Sequence, residues 1–265
     1  MSIKLNNYIF IFLCVIFLFT SCNKNNGRPS PKEVAQFNLD VYNKNFEAVK
    51  SAIEKNQSIL NIGYQAFGDT VFYPLYMAIQ SKDVEMVKLI ANKNNVNEIF
   101  VLDSMRASPL MLALMVDCNY KIIKNLLNEG ADINYIDEIG KVNVFHYFSN
   151  SRSKDVWNVL KEYSSSANLN MEADDKSTPI SCLIASQVEH DDLNNLETIS
   201  LLKDFIDCGA NPNYLINYRD YAFSLVEYLN ENNFLEYEKV LLEGMKNNSP
   251  VGDSEELIKV FEVQR

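Results

Sequence analysis

YPLYMA at residues 73–78, SPLMLA at 108–113, NVFHYF at 143–148 and TPISCL at 178–183 are four versions of one pattern. Their second positions fall at residues 74, 109, 144 and 179, so the interval is 35 residues three times in succession. A hydroxyl residue before proline favours a helix start, because the hydroxyl accepts a hydrogen bond from a free backbone N–H and proline tolerates the first turn. The pattern therefore predicts that a helix begins at the same place in four consecutive units.

A set of asparagines repeats in phase with these helix starts. They occur at Asn61, Asn97, Asn134, Asn170 and Asn213. Between the two patterns, apolar residues recur every three or four positions, which places an apolar stripe on one side of each predicted helix. One helix pair cannot bury such a stripe alone, so neighbouring pairs are expected to stack.

Both patterns together resemble the ankyrin repeat, whose unit of about 33 residues opens with Thr-Pro-Leu-His and closes with Gly-Ala-Asp-Val-Asn. The resemblance covers residues 31–247. It implies an all-α fold, an ankyrin-repeat solenoid of about six stacked helix-turn-helix units with irregular capping repeats. The first cap is expected to hold helices at 33–42 and 46–55, and the last cap a helix pair within 221–244.

The ends of the predicted helices need a residue in the left-handed conformation. Gly130 and Gly209 are placed for this role at the ends of second helices, and Asn94 and Ser165 are predicted to fill it where glycine is absent. The C-terminal tail, residues 248–265, is predicted to hold a short helix.

The first 21 residues are predicted to be a secretory signal peptide. Lys4 precedes an apolar run at 8–19, which as a helix spans only about 18 Å and is too short for a bilayer core of ~30 Å. Residues 19–22, FTSC, resemble a bacterial lipobox, which implies lipidation of Cys22 by acyl chains such as palmitate. Ordinary signal cleavage and an uncleaved anchor helix are the alternatives.

A polar tether at residues 22–30 would separate this anchor from the repeats. No aspartate follows Cys22, and in this the chain resembles lipoproteins that are passed on to an outer membrane. The expected location is therefore the bacterial cell envelope, with the outer membrane favoured and the domain in the periplasm or at the surface.

Charge excludes one class of partner and favours another. The chain has 24 basic and 35 acidic residues and no tract rich in lysine or arginine, so nucleic-acid binding is not expected. Residues 170–265 hold 7 basic and 19 acidic side chains. Such a field can steer a basic protein partner, although it also simply keeps a protein soluble.

Residues with catalytic potential have structural explanations. His146 occupies the histidine position of the repeat motif, where the resemblance implies hydrogen bonds within and between repeats. The acidic cluster at 189–192 is predicted to be a solvated loop, with a metal site as the alternative. Cys118, Cys182 and Cys208 are predicted to be partly or fully buried thiols, with a disulfide between the last two as the alternative. We therefore predict no enzyme, no metal and no cofactor.

The predicted function is a non-catalytic protein-protein interaction module, lipid-anchored in the bacterial envelope. A narrower alternative is an immunity or inhibitor protein that neutralises a periplasmic toxin or enzyme, and a different class is a degenerate hydrolase that uses the loop at 187–196. That loop departs from the repeat interval and is expected to be specific to this protein. The residues predicted to contact a partner are Tyr135, Ile136, Glu172, Asp174, Asp175, His190, Tyr214 and Tyr218.

Overall fold

The protein is described by a computed structural model that covers residues 28–67, 70–102, 105–117 and 119–263. The described residues up to Asp132 form one compact unit, and those from Ile133 onward form a second. The predicted signal peptide, Cys22 and Cys118 lie outside the described residues. Across the described ranges, no helix has both the length and the apolar character needed to cross a bilayer.

The first unit contains six helices in pairs and two short antiparallel β-hairpins among its described residues. The helices are α1 (Pro31–Tyr42), α2 (Phe46–Lys55), α3 (Pro74–Ser81), α4 (Val84–Ile90), α5 (Pro109–Met115) and α6 (Tyr120–Asn128). Strand β1 (Tyr64–Phe67) pairs with β2 (Thr70–Phe72), and β3 (Phe100–Leu102) pairs with β4 (Met105–Ala107). A 3-10 helix at Gln57–Asn61 follows α2.

The second unit is helical throughout its regular elements. Its helices are α7 (Val144–Ser151), α8 (Lys154–Leu160), α9 (Ser166–Leu169), α10 (Pro179–Glu189), α11 (Leu196–Asp207), α12 (Arg219–Glu231), α13 (Leu235–Asn247) and α14 (Ser254–Val263). Two 3-10 helices lie at Lys161–Tyr163 and Pro212–Tyr218. The predicted fold class, stacked helix pairs with irregular end units, is confirmed.

The first helices of the repeats begin where the sequence predicts. Ser108 accepts a hydrogen bond from Met111 N at 3.3 Å, and Thr178 accepts one from Ser181 N at 3.4 Å. Asn143 does the same for Phe145 N at 3.0 Å. Each side chain satisfies a backbone N–H that has no partner inside the helix, which fixes the start of the helix.

The turn between the two helices of each pair contains one non-glycine residue with positive φ. These are Lys44 (60°), Lys82 (54°), Asp117 (53°), Arg152 (47°), Asp191 (50°) and Asn233 (57°). Gly130 and Gly209 also have positive φ, 94° and 103°, as predicted. Asn94 and Ser165 do not, so that prediction is wrong.

Helix α4 and the 3-10 helix at Lys161–Tyr163 end in an extended conformation instead. Ala91 and Ser164 are both extended, so the chain needs no left-handed residue there. The polar side chains that follow stabilise the next segments: Asn95 Oδ1 accepts from Asn92 N at 2.9 Å in the turn after α4, and Ser165 Oγ accepts from Asn168 N at 3.3 Å at the start of α9.

The repeated asparagines connect one repeat to the next. In the second unit, Asn170 Oδ1 accepts a hydrogen bond from Asn211 N, and Asn170 Nδ2 donates one to Gly209 O, both at 2.7 Å. In the first unit, Asn97 makes the same two bonds to the loop that follows α6. A side chain that satisfies both a backbone donor and a backbone acceptor fixes the position of the following loop.

Aromatic side chains form the core between repeats of the second unit. Trp157 is fully buried, and its ring centroid lies 4.6 Å from that of Phe205 and 5.6 Å from that of Phe148. Burying one such ring stabilises the fold by about 3 kcal/mol. The stacked helix pairs therefore gain their stability from contacts between repeats.

The two β-hairpins differ from the predicted all-α fold. The hairpins of β1–β2 and β3–β4 form where aromatic and β-branched residues are concentrated, because such side chains favour extended backbone. The predicted contact residues Tyr214 and Tyr218 lie in the 3-10 helix Pro212–Tyr218, which is followed directly by α12. Asn211 Oδ1 accepts from Asn213 N at 3.0 Å and starts that helical segment.

The loop predicted at 187–196 is shorter than expected and is anchored by packing. Helix α10 continues to Glu189, so only residues 190–195 connect it to α11. Leu193 is fully buried, and Asp192 Oδ2 accepts from Thr198 Oγ1 at 2.8 Å. The insertion therefore has a packing reason, which the sequence pattern did not indicate.

Helix α14 covers the last helix pair. Val251 N donates to Ser254 Oγ at 3.0 Å, which starts the helix, and Leu257 and Phe261 are buried. Lys246 of α13 forms an ion pair with Glu262 at 2.6 Å. The C-terminal tail therefore covers apolar side chains of the last helix pair.

Candidate functional site

Three segments of the second unit lie side by side at the N-terminal ends of α7, α10 and α12. Asp174 N donates a hydrogen bond to Gly140 O at 3.0 Å, which joins the first segment to the second. Tyr218 OH donates to Asp175 O at 2.7 Å, which joins the second to the third. We call the surface formed by residues 135–141, 171–177 and 214–221 the tip surface.

The first segment of the tip surface is a tight turn around Asp137. The buried Asp137 carboxylate accepts a hydrogen bond from Gly140 N at 2.8 Å, and Asp137 N donates to Val142 O at 2.9 Å. This turn leaves Ile136 and Ile139 exposed, at 43% and 54%. Two apolar side chains therefore stand on the surface of a loop whose backbone is fixed.

The second segment contributes carboxylates. Asp175 Oδ1 accepts hydrogen bonds from Ser177 Oγ at 2.6 Å and from Ser177 N at 2.9 Å. These bonds lower the pKa of Asp175 below its ordinary value, because they favour the charged form. Glu172 and Asp174 are exposed, and Lys176 pairs with Glu172 at 3.6 Å. The segment therefore presents negative charge at neutral pH.

The third segment fixes the orientation of the second. Asn217 Nδ2 lies 3.2 Å from Glu172 Oε2 and 3.3 Å from Lys176 O, and donates to both. Partial burial, followed by the charge of Asp175, raises the pKa of Tyr218, so its hydroxyl stays protonated and keeps its donor role. Loops held in this way present a surface that changes little on binding, which lowers the entropic cost of association.

His146 lies beneath the tip surface. The side chain is buried, its Nδ1 accepts from Asn143 N at 3.1 Å, and its Nε2 lies 3.4 Å from Ser177 O. Burial lowers the pKa of His146, so the neutral ring bridges α7 and the loop that precedes α10. It connects one repeat to the next, as the resemblance implies.

The predicted contact residues do not all lie together. The tip surface includes Tyr135, Ile136, Glu172, Asp174, Asp175, Tyr214 and Tyr218, of which the three tyrosines are half-buried. His190 lies at the opposite end of α10, whose 11 residues span about 16 Å. Sequence reasoning missed Ile139 and Asn217, although an isoleucine isolated in a polar loop is itself a signal for an exposed apolar side chain.

The acidic insertion does not converge on one point. Asp191 Oδ1 accepts from Tyr228 OH at 2.8 Å, whereas Asp192 Oδ2 accepts from Thr198 Oγ1. Within the described part of the chain, no group of three or more histidine, cysteine or acidic residues is arranged to hold a metal ion. Cys182 and Cys208 are free thiols, and burial raises the pKa of Cys182, so this thiol stays protonated.

Comparison with known proteins identifies the repeats. Residues 37–137 match the family model described as ankyrin repeats (3 copies). No curated protein matches the chain. One similar solved structure is an ankyrin repeat domain from Acinetobacter baumannii AYE, with 16% sequence identity and a TM-score of 0.56, covering 79% of this chain and 97% of that domain.

These comparisons show ankyrin repeats at residues 37–137 and a fold similar to that of an ankyrin repeat domain. Ankyrin repeats are a generic scaffold for protein interaction and are typically not enzymes, and neither comparison indicates a catalytic family. The fold is consistent with non-catalytic binding of a protein partner.

Proposed function

We propose that this chain is a non-catalytic module that binds a basic protein partner through the tip surface and is anchored in the bacterial envelope by a lipid on Cys22. One observation carries the binding part of this proposal. Three hydrogen-bonded segments present Ile136 and Ile139 beside the carboxylates of Glu172, Asp174 and Asp175.

Protein interfaces combine apolar side chains with polar and charged neighbours, as this surface does. The two isoleucines supply area that a partner can remove from water, which contributes about 25 cal/mol per Å². The carboxylates contribute long-range attraction, which raises the association rate with a basic partner more than it raises affinity.

The binding test compares the wild-type chain with the Ile136→Ser/Ile139→Ser variant in cross-linked pull-downs from envelope extracts. Both side chains are exposed, so the variant should keep its melting temperature. We expect a stoichiometric partner with the wild type and with Val263→Ser, a matched change at a valine that is 85% exposed outside the tip surface. Equal recovery by the isoleucine variant would exclude the tip surface as the binding site.

The anchor is supported by FTSC at residues 19–22 and by the polar segment that follows. Cells that express the wild type should incorporate labelled palmitate into the chain, and Cys22→Ala should abolish incorporation. Unlabelled wild-type protein, or label that persists in the variant, would exclude lipidation at this residue. Fractionation of the two membranes of the envelope then tests the proposed outer-membrane location.

The acidic tip surface also favours the narrower function of an inhibitor or immunity protein, because carboxylates can cover a basic active site. Co-expression with the product of the neighbouring gene, exported to the periplasm, tests this proposal. The wild type should prevent the toxicity or activity of that product, and Glu172→Lys/Asp174→Lys should lose the protection. A neighbouring product without toxicity or enzymatic activity would leave this alternative without support.

A further inference from the structure

Two leucines of the second unit are strongly exposed at the start of their helices. Leu196 is 81% exposed at the first position of α11, and Leu235 is 58% exposed at the first position of α13. Single exposed leucines are common on protein surfaces, so their position relative to each other decides whether they form a binding surface.

Packing between α11 and α13 places the two leucines at nearly the same height along the helix axes. A Cβ atom at Gly244 would lie only 2.8 Å from Ile206 Cδ1, so these two residues mark a close approach of the helices. Leu196 precedes Ile206 by ten residues and Leu235 precedes Gly244 by nine. If the helices are parallel, the leucines differ in height by only about 1.5 Å.

Contacts at the other end of the helices show that they are parallel. Tyr228 OH donates to Asp191 Oδ1 at 2.8 Å, which joins the turn before α11 to the end of α12 that leads into α13. The ring of Tyr228 also packs against Phe234, with centroids 5.6 Å apart. The two helix starts are therefore held next to each other, about 8–10 Å apart as in other packed helices. We call Leu196, Tyr228 and Leu235 the leucine patch.

The surroundings of the leucine patch are acidic. The segments at 189–197 and 227–239 contain eight acidic residues and one basic residue, Lys239. The exposed carboxylates among them belong to Glu189, Asp191, Glu197, Glu227, Glu231 and Glu236. This charge attracts lysine and arginine side chains, and it repels both an anionic lipid surface and the same face of a second copy of the chain.

The leucine patch is separate from the tip surface. It lies at the C-terminal ends of α10 and α12, whereas the tip surface lies at the N-terminal ends of the same helices, and α10 alone is about 16 Å long. We propose that the leucine patch is a second docking surface, which binds a segment of a protein partner in which apolar side chains are flanked by lysine or arginine. This proposal does not depend on binding at the tip surface.

Fluorescence anisotropy with a labelled amphipathic peptide made only of leucine and lysine provides the test. We expect the purified chain to bind this peptide and not a peptide in which glutamate replaces every lysine. The Leu196→Ser/Leu235→Ser variant should bind at least tenfold more weakly, whereas Val263→Ser should bind as the wild type does. All three side chains are exposed, so thermal melts of the variants should coincide with that of the wild type.

Other outcomes would overturn the proposal. Equal affinity of the leucine variant and the wild type would exclude the patch as the binding site. Loss of binding in Ile136→Ser/Ile139→Ser alone would assign the peptide to the tip surface. Binding to phosphatidylglycerol vesicles, or self-association in sedimentation equilibrium, that disappears in the leucine variant would identify a lipid surface or a second copy as the occupant instead.

Discussion

Replacement of Asn170 by alanine tests whether the repeated asparagines hold neighbouring repeats together. The side chain accepts from Asn211 N and donates to Gly209 O, both at 2.7 Å in a half-buried site. Each bond contributes about 1 kcal/mol net, and the two backbone groups left behind are only partly accessible to water, so we expect a loss of about 2–3 kcal/mol. In a domain of this size, the melting temperature should fall by roughly 5–10 °C.

Asn97→Ala is the matched control. Asn97 makes the same bonds, to Asp132 N at 2.7 Å and to Gly130 O at 2.9 Å, but it is exposed, so water can replace the lost side chain. We expect a cost below about 1 kcal/mol in urea denaturation followed by circular dichroism. Hydrogen exchange of the two bonded backbone amides, Asp132 N and Asn211 N, reports the local effect of each substitution. A larger cost at Asn97, or an Asn211 amide that is equally protected in Asn170→Ala, would refute the reasoning.

Three further predictions concern buried groups of the second unit. Burial holds the pKa of His146 below its ordinary value of 6.5, so the unfolded chain binds the proton first and stability should fall as the pH is lowered from 7.5 through 6.5. Urea midpoints should show this slope in the wild type and lack it in His146→Gln, and parallel slopes would contradict the assignment. Tyr237→Phe removes a fully buried hydroxyl that donates to Gln187 Oε1 at 2.7 Å, and urea denaturation should show a loss of about 1–3 kcal/mol; a neutral effect would mean that the bond contributes nothing. Gly244→Ala should cost about 1–2 kcal/mol, because its Cβ would lie 2.8 Å from Ile206 Cδ1 and 3.2 Å from Pro212 Cγ, and this crowding outweighs the gain of about 1 kcal/mol that alanine has over glycine inside a helix. Addition of Ile206→Val, which removes that methyl group, should recover part of the loss in the same assay, and no recovery would show that this contact is not the cause.

Helix starts could be predicted because their chemistry is local. Ser108 and Thr178 each cap the helix that their neighbouring proline begins, so four or five residues contain the whole signal. The interval between these starts then indicated the repeat, and the repeat indicated the fold. A pattern that recurs in sequence reports on every unit at once, which is why the fold was the most predictable feature of this chain.

Helix ends could not be predicted as well, because packing decides them. Lys82 and Arg152 have φ of 54° and 47°, values that lysine and arginine rarely adopt. Burial of the helices on both sides of these turns compensates for the strain, and no local preference of these residues indicates it. Asn94 and Ser165 have the appropriate local preference, but the chain there leaves its helix in an extended conformation.

Seven of the eight predicted contact residues lie in the tip surface, but its exposed Ile139 and the contacts within it were not predicted. Asn217 bonds to Glu172 across 45 residues, and Tyr218 bonds to Asp175 across 43. Such pairs form only when the repeats stack, because stacking brings the 3-10 helix at Pro212–Tyr218 against residues 171–177. His190 was included among the predicted contact residues because it lies in the insertion predicted at 187–196, and only the direction of α10 shows that it lies at the end away from the tip surface.

The insertion that joins α10 to α11 in the fifth repeat, residues 178–213, distinguishes this helix start from that of the preceding repeat. In the preceding repeat, Arg152 and Ser153 alone connect α7 to α8, and the first residue of α8 is Lys154, which pairs with Asp204 at 2.6 Å. That helix start is polar and already has a partner. In the fifth repeat, α10 extends to Glu189 and the longer turn is fastened by the buried Leu193, so Asp191 comes within reach of Tyr228 in the next repeat. The added residues thus place an acidic rim beside two exposed leucines, an arrangement that a turn of two residues is too short to build.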